Sequence, residues 1–340
     1  MASPLIAALK SKYPQAEIHW LAEPFVHDLI RFHPDIDKVH SFPKAQLKNL
    51  WLEKQYISFF KQIRQLKLQL QSEQFDLALD VQGLFKSGIW AWLAKARVRV
   101  GFRSKEGSDF FMTDVIDKPK NEPTISSEYQ CMAEYLQCET STFLMDISLS
   151  DQAITIINKF ILSKYSNGFA VISPFTTREQ KHWTDENWRR FSALFYQRYK
   201  LPIIIVGGPN DAKHAESICH QMPFLSQVCG QFSLNESVAL IAQAKLVVGV
   251  DTGMTHAGIA KETPTLALFG STRPYLITRT NTAEVVYLNK QCAPCKRKPS
   301  CGGTFDCMND ITPKMVLNSV ARLFDKTGVT NGREIESITH

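Results

Sequence analysis

Residues 247–270 read VVGVDTGMTHAGIAKETPTLALFG, and the apolar run breaks at Asp251-Thr252-Gly253-Met254-Thr255-His256. An acid, two hydroxyls, a glycine and an imidazole at the junction of a strand and a helix suit the binding of a phosphorylated sugar. The helix N-terminus supplies unpaired backbone N–H groups and partial positive charge. Thr252 and Thr255 add hydroxyl donors, and Gly253 lets the backbone come close. Asp251 gains nothing from a phosphate, so its task is to accept hydrogen bonds from sugar hydroxyls; His256, one turn in, is placed to donate to a phosphate oxygen. The plainer alternative is that Asp251 and Thr252 cap the helix. A second segment, SPFTTREQKHWTDENW (173–188), puts Thr176, Thr177 and Lys181 ahead of a helix that starts at Thr184, with Asn187 making a partial capping box. A lysine there neutralises a diphosphate; the alternative is a solvated surface lysine.

These residues need a scaffold that presents both loops together. GFAVIS (168–173), LPIIIVGG (201–208), KLVVGV (245–250), TLALFG (265–270) and AEVVYL (283–288) are short, apolar and bounded by Gly or Pro. Helical patterns separate them: DENWRRFSALFYQRY, AKHAESICHQM and NESVALIAQA. Strands alternating with helices predict a parallel sheet covered on both faces, a Rossmann-like half that binds ligands beyond the carboxyl ends of its strands. The first half repeats the theme less clearly. AEIHWLAE (16–23), DLALDVQG (76–83) and VRVGFR (98–103) read as strands, PLIAALKSKY and QYISFFKQIRQLKLQLQSEQ as helices. Ile57, Phe60, Ile63, Leu66 and Leu70 recur at helical spacing. The expected division is a first domain over 1–155, a second over 166–325, and a polar, frayed tail over 326–340. NDITPKMVLNSVARLF, with Pro313 in its first turn, reads as the closing helix.

The 340 residues suit two domains, and 44% hydrophobic with 21% charged residues is ordinary for a globular protein. No apolar run approaches a membrane span, and the start lacks the marks of a signal peptide, so a cytoplasmic protein is expected. Between Lys38 and Lys105 stand 13 Lys or Arg against 4 Asp or Glu. That excess of basic groups suggests an anionic partner, or else a solvated helical face. Of eight cysteines, Cys292, Cys295, Cys301 and Cys307 crowd into one segment. They are half of a zinc signature, and reduced structural thiols in a loop between the domains are preferred over a metal site. No G-x-G-x-x-G follows a strand, which argues against a nucleotide-dependent oxidoreductase.

VVGVDTGMTHAGIAKETPTLALFGSTRP and TTREQKHWTDENW closely resemble the ADP-heptose:lipopolysaccharide heptosyltransferases of glycosyltransferase family 9, and DVQGLFKSG (80–88) resembles the signature of the family's first domain. The resemblance covers nearly the whole chain. It implies a GT-B fold, α/β with two Rossmann-like domains facing a cleft, and an inverting, metal-independent transfer of heptose from ADP-heptose to the Kdo-lipid A inner core. It implies ADP-heptose as donor substrate with no cofactor. By the same resemblance Thr176, Thr177 and Lys181 hold the donor diphosphate with Thr252, Gly253 and the Met254 amide. Asp251 holds heptose hydroxyls, His256 supports the phosphate end, Phe232 meets adenine and Asp211 the ribose. Lys181 and Asp251 are the catalytic residues this chain contributes. Lys44, Lys48, Lys54 and Lys105 are implied for the acceptor's phosphates and carboxylates. The implied partners are ADP-heptose, Kdo-lipid A and the inner-leaflet surface of the inner membrane, with no nucleic acid, and the protein a monomer. The family's general base is an Asp on the loop after a first strand, and MASPLIAALKSKYP matches sequence just after that loop. The base is therefore expected upstream of Met1, with Asp80 a weak substitute, and the chain as given is expected to bind donor better than it turns it over. The alternatives are transfer to a later core position and an inactive nucleotide-sugar-binding protein.

Overall fold

Short aliphatic runs closed by glycine or proline become the strands. The computed structural model describes residues 1–295 and 298–329. Two compact units emerge, Met1–Glu122 with Ser126–Met145, and Pro123–Ile125 with the chain from Asp146 onward.

The first unit runs α1 (Pro4–Lys12), β1 (His19–Ala22), α2 (His27–Ile30), β2 (Lys38–Ser41), α3 (Lys44–Leu52), α4 (Tyr56–Ser72), β3 (Leu77–Asp80), α5 (Phe85–Leu93), β4 (Val98–Phe102), β5 (Asp114–Ile116) and α6 (Ser127–Tyr135). Its strands form two parallel sheets, β1-β2 and β3-β4-β5. Leu5 and Ala8 of α1 and Met132 and Ala133 of α6 pack on Val100, Phe102 and Ile116. Leu66 and Leu70 of α4 meet Trp90 and Ala94 at α5, with Leu21 of β1 alongside.

The second unit runs α7 (Asp151–Lys164), β6 (Ala170–Ser173), α8 (Asp185–Tyr199), β7 (Ile203–Ile205), α9 (Ala212–Cys219), β8 (Leu225–Gln227), α10 (Leu234–Ala242), β9 (Leu246–Val250), α11 (Gly253–Ala260), β10 (Thr265–Phe269), β11 (Ala283–Tyr287), α12 (Asp306–Asn309) and α13 (Pro313–Thr327). One sheet holds all six strands in the order β11-β10-β9-β6-β7-β8, every pair parallel. The chain moves outward from β6 in one direction, then returns to β9 and moves outward in the other. The switch point therefore lies between β6 and β9. A crevice opens there at the carboxyl edge, because the connections leave in opposite directions.

Helix α8 carries Trp188, Phe191, Phe195 and Tyr199 on one face, and all four are buried with Trp183 against the sheet and α13. Removing each such side chain from water contributes about 1.5–3 kcal/mol. The Thr184 hydroxyl caps this helix by accepting from the Asn187 N–H at 3.2 Å. Helix α11 lies hard against β9 and β10. A methyl added at Gly249 would stand 2.2 Å from Thr255 Oγ1, and one at Gly258 2.5 Å from Thr265 Oγ1. Only hydrogen fits at either position.

The structure departs from the sequence expectations in several places. Strands β2, β5 and β8 were not expected; two of them are only three residues long, and all carry polar residues among the apolar ones. The boundary between units falls at Met145/Asp146 rather than at 155–166. Helix α7 belongs to the second unit, since its Ala153 and Ile157 are buried, and the side-chain oxygen of Asn235 on α10 accepts from the Ser150 N–H at 2.9 Å. The α4 stripe is only half used: Leu66 and Leu70 are buried, whereas Ile57 is 89% and Phe60 60% exposed. The cysteine segment lies within the second unit beside the end of β10, not between the domains: Cys295 Sγ is 3.9 Å from the Ser271 carbonyl oxygen. The eight cysteines are free thiols. The closing helix α13 extends to Thr327, and Gly328 in the left-handed region ends it. Residues 330–340 of the expected tail lie outside the described residues.

Candidate active site

The loops that leave β6 and β9 flank the crevice at the switch point, and Lys181 from the first meets Asp251 from the second. Lys181 Nζ donates to Asp251 Oδ2 at 2.6 Å and to the Asp251 carbonyl oxygen at 3.3 Å. An ammonium has three donors, so one remains for a ligand. His256 Nε2 lies 3.3 Å from Asp251 Oδ1, and Thr272 Oγ1 donates to Oδ2 at 2.8 Å. Burial by itself would raise Asp251. The hydrogen bonds from His256 and Lys181, and the charges beside it, outweigh burial and hold its carboxyl well below the usual carboxylate range. Asp251 is therefore an anion that accepts, and a weak base.

Behind His256 stands Tyr275, whose hydroxyl is 2.8 Å from Nδ1. Burial, reinforced by the Asp251 charge, pushes the Tyr275 phenol far above its ordinary value, so it keeps its proton. The Tyr275 hydroxyl faces Nδ1, and Nε2 faces Asp251. Both ring nitrogens of His256 are thus engaged by the protein. His256, expected from sequence to donate to a phosphate oxygen, lies against Asp251. Thr272 and Tyr275, which follow β10, are not among the site residues expected from sequence. They act across the sheet, because β10 lies next to β9.

Thr252 makes no side-chain capping bond to α11, so the cap explanation for the knuckle does not hold for it. A Cβ at Gly253 would meet no protein atom within 4 Å, which leaves the first turn open to a ligand. The Met254 amide belongs to that same turn. Thr255 does not face the crevice: it is fully buried and its hydroxyl donates to the Val250 carbonyl at 2.6 Å. The expectation of a phosphate-facing hydroxyl there is corrected by the close fit of Gly249 beneath it.

Thr176 and Thr177 stand in the loop after β6, where the Thr176 carbonyl is 2.9 Å from His182 Nε2. Asp211, beyond β7, accepts the Gly208 N–H through Oδ2 at 2.8 Å, so one of its oxygens shapes the turn. The Phe232 ring meets Phe160 edge-on with centroids 5.2 Å apart, at the entry to α10. In the first unit Lys48, Lys54 and Lys105 are exposed, and Lys44 pairs with Glu23 at 2.7 Å. Asp80, at the end of β3, accepts from the Gln82 and Gly83 amides through Oδ1, both at 3.1 Å. Its buried Oδ2 has no partner among the described residues. Beside β10, burial and the neighbouring Cys292, Cys295 and Cys301 push the Cys307 thiol up to about 11.

Known proteins resemble this chain in sequence and in fold. The family model described as glycosyltransferase family 9 (heptosyltransferase) matches residues 63–305. The chain is 24% identical over 278 residues to the lipopolysaccharide core heptosyltransferase OpsX of Haemophilus influenzae, covering 79% of this chain and 75% of that one. It is 24% identical over 287 residues to lipopolysaccharide heptosyltransferase 1 of Escherichia coli K12, covering 81% and 84%. Among solved structures it is similar to the Escherichia coli ADP-heptose lipopolysaccharide heptosyltransferase II, with a TM-score of 0.75 at 20% identity over 96% of this chain and 95% of that one. That likeness is one of fold, and the fold is GT-B.

Proposed function

This chain belongs to glycosyltransferase family 9, and we propose that it transfers heptose from ADP-heptose to the lipopolysaccharide inner core, adding the first heptose to Kdo-lipid A. The observation that carries this reading is the cluster of Lys181, Asp251 and His256 beside the open first turn of α11, at the switch point of a six-stranded parallel sheet. A cation and a helix N-terminus suit a diphosphate, and an ionised carboxylate beside them suits sugar hydroxyls.

In the transfer, an acceptor hydroxyl oxygen bonds to the anomeric carbon of heptose with inversion. The bond from that carbon to the β-phosphate oxygen breaks, and its electron pair leaves with ADP. The hydroxyl proton passes to a carboxylate base. Asp251 is too weak a base for that step, so its role is to hold the sugar. The remaining donor of Lys181 and the amides of Gly253 and Met254 stabilise the charge that grows on the departing diphosphate. His256, steadied by Tyr275, keeps Asp251 ionised and aimed. Thr176 and Thr177 contribute hydroxyls to the diphosphate, Phe232 offers a ring to adenine, and Asp211 has an oxygen for the ribose. No cofactor is needed for this displacement.

The first unit takes the acceptor. Lys44, Lys48, Lys54 and Lys105 supply positive charge for phosphates and carboxylates. Around the α3–α4 corner Trp51, Leu52, Ile57 and Phe60 are exposed beside Lys48 and Lys54. Apolar and basic groups exposed around one corner suit an anionic leaflet. Among the described residues no helix is long and apolar enough to cross a membrane. We read the protein as acting, as a monomer, on the inner face of the inner membrane.

The test pairs two measurements. Calorimetry should show ADP binding that Lys181→Ala weakens. Transfer from ADP-heptose should then be assayed on Kdo-lipid A and on the same acceptor already carrying one heptose. Transfer to the first acceptor alone supports the reading, transfer to the second alone moves the enzyme to a later core position, and failure to bind ADP overturns the donor assignment.

A further inference from the structure

A second cluster, outside the donor crevice, lies where β1, β2 and the end of α4 meet. His19 Nδ1 and His40 Nε2 are 3.1 Å apart. Glu73, which follows α4, faces both rings: Oε2 is 3.9 Å from His19 Nδ1 and Oε1 is 3.9 Å from His40 Nε2. The three ligand atoms lie within 4.8 Å of one another. Both imidazoles are shielded, with His40 only 1% exposed, and the ring of Phe75 stands edge-on to each at 5.2 and 6.3 Å. We propose that His19, His40 and Glu73 form a divalent transition-metal site of the zinc class that clips the β1-β2 sheet to α4.

The donor set is right for such an ion: two nitrogens and one carboxylate oxygen, as in three-ligand zinc sites. Two ligands on one tetrahedral zinc stand about 3.3 Å apart, given bonds of about 2.0–2.1 Å. The two nitrogens are already close to that separation; each lies 3.9 Å from a different oxygen of Glu73, so the carboxylate must turn as well as approach to bring one oxygen to both. Lys38 Nζ holds Glu73 Oε1 at 2.5 Å, which leaves Oε2 to bind the metal while the ammonium keeps the carboxylate oriented.

The surroundings also fit. His40 Nδ1 is 3.1 Å from the side-chain amide of Gln69. With the amide oxygen turned to the ring, Nδ1–H donates to it and the Nε2 lone pair is free for metal. The carboxylate of Glu17 stands 3.6 Å from His19 Nε2, beyond hydrogen-bond distance. Without a metal, Gln69 donates to Nδ1 and His40 Nε2–H donates to His19 Nδ1, so the two imidazoles rest on each other. The site has a structural use. A sheet of two strands is marginal by itself, and a bond from each strand to the end of α4 closes the loop that joins them.

The experiment titrates the 340-residue protein, stripped with chelator and kept reduced, with Co²⁺ and then with Zn²⁺ alone. Co²⁺ on nitrogen and oxygen ligands absorbs in the visible without the intense near-ultraviolet thiolate band that binding at Cys292, Cys295, Cys301 and Cys307 would give. One equivalent should bind with the nitrogen–oxygen spectrum, Zn²⁺ should displace it, and both metals should raise the melting temperature. His19→Gln and Glu73→Gln should each lose that equivalent and the thermal shift. Gln69→Ala should weaken binding about 10- to 100-fold. Glu73→Gln keeps the shape of the side chain and so remains informative if His19→Gln does not fold. Equal stoichiometry and spectra in wild type and Glu73→Gln, or a thiolate spectrum alone, overturn the proposal.

Discussion

Strands β6, β7, β9 and β10 of the second unit are buried along their whole length, whereas α4 of the first unit turns half of its apolar stripe to water. Both elements are built from the same residue types, and both have the period their structure demands. They differ in what lies opposite. In the second unit α8 and α13 close over a continuous sheet, so the apolar side chains of its inner strands find partners and the loops at the sheet's edge are fixed by what lies beneath. In the first unit the strands form two short sheets, and the start of α4 extends past the cluster of Leu66, Leu70 and Trp90. A rigid platform suits recognition of one small, invariant donor. A basic surface with exposed aromatic groups suits a large amphiphilic acceptor.

Truncating a core residue probes the first side of that comparison and has the largest expected effect. Trp188→Ala should destabilise the second unit by about 3–5 kcal/mol, read from denaturant unfolding. A loss below about 1 kcal/mol would mean that the platform is looser than its burial indicates. Next is Lys181→Ala, which removes a charged hydrogen-bond donor from the crevice. It should raise the Kd for ADP about 10- to 100-fold, corresponding to roughly 1.5–3 kcal/mol. Lys48→Glu with Lys105→Glu addresses the first unit. At about 1 kcal/mol per charge near an anionic surface, each should raise the acceptor KM roughly fivefold or more and leave ADP affinity unchanged. Equal loss of donor affinity would erase the division of labour between the units.

Acid stability separates the two units in another way. Asp251 has a depressed pKa in the folded protein, so its contribution is complete above the ordinary carboxylate value of about 3.9 and is lost as pH falls below it, through the lower folded value. Asp251→Asn should flatten the acid limb of the melting profile; an unchanged limb would show that the ion pair adds nothing to folding. The smallest change is expected on α4. Ile57→Asn and Phe60→Ser should shift stability by no more than about 0.5 kcal/mol. They should nevertheless reduce sedimentation with anionic vesicles, and vesicle binding equal to wild type would remove this face from the membrane.

Sequence made the sheet of the second unit legible because β9 and β10 are aliphatic runs that end in polar knuckles, and because the parallel order follows from alternating helices. It also drew attention to Lys181 and Asp251, since each is a charged residue in a loop after a strand, and the structure brings the two together. Strand β8, Leu225–Gln227, escaped notice because two of its three residues are polar. Thr272 and Tyr275 escaped because their partners lie some twenty residues upstream and depend on which strand neighbours which. Thr255 was misread for a related reason: a hydroxyl beside a phosphate-binding turn gives no sign of its direction until the glycine opposite is seen. On α4, periodicity correctly predicted a helix but could not say how far its partners extend.

The fit between Gly249 and Thr255 has a consequence for how this fold can change its ligand. The Thr255 hydroxyl sits on the Val250 carbonyl like a locating pin, with no room at Gly249 for even a methyl group. Helix α11 can neither slide along β9 nor rise from it without breaking that register. The amides at its start are therefore a fixed datum for the donor. Adaptation to a donor of another size must come from the opposite wall, the loop of residues 174–184 that carries Thr176, Thr177 and Lys181. That loop is the adjustable jaw of the site.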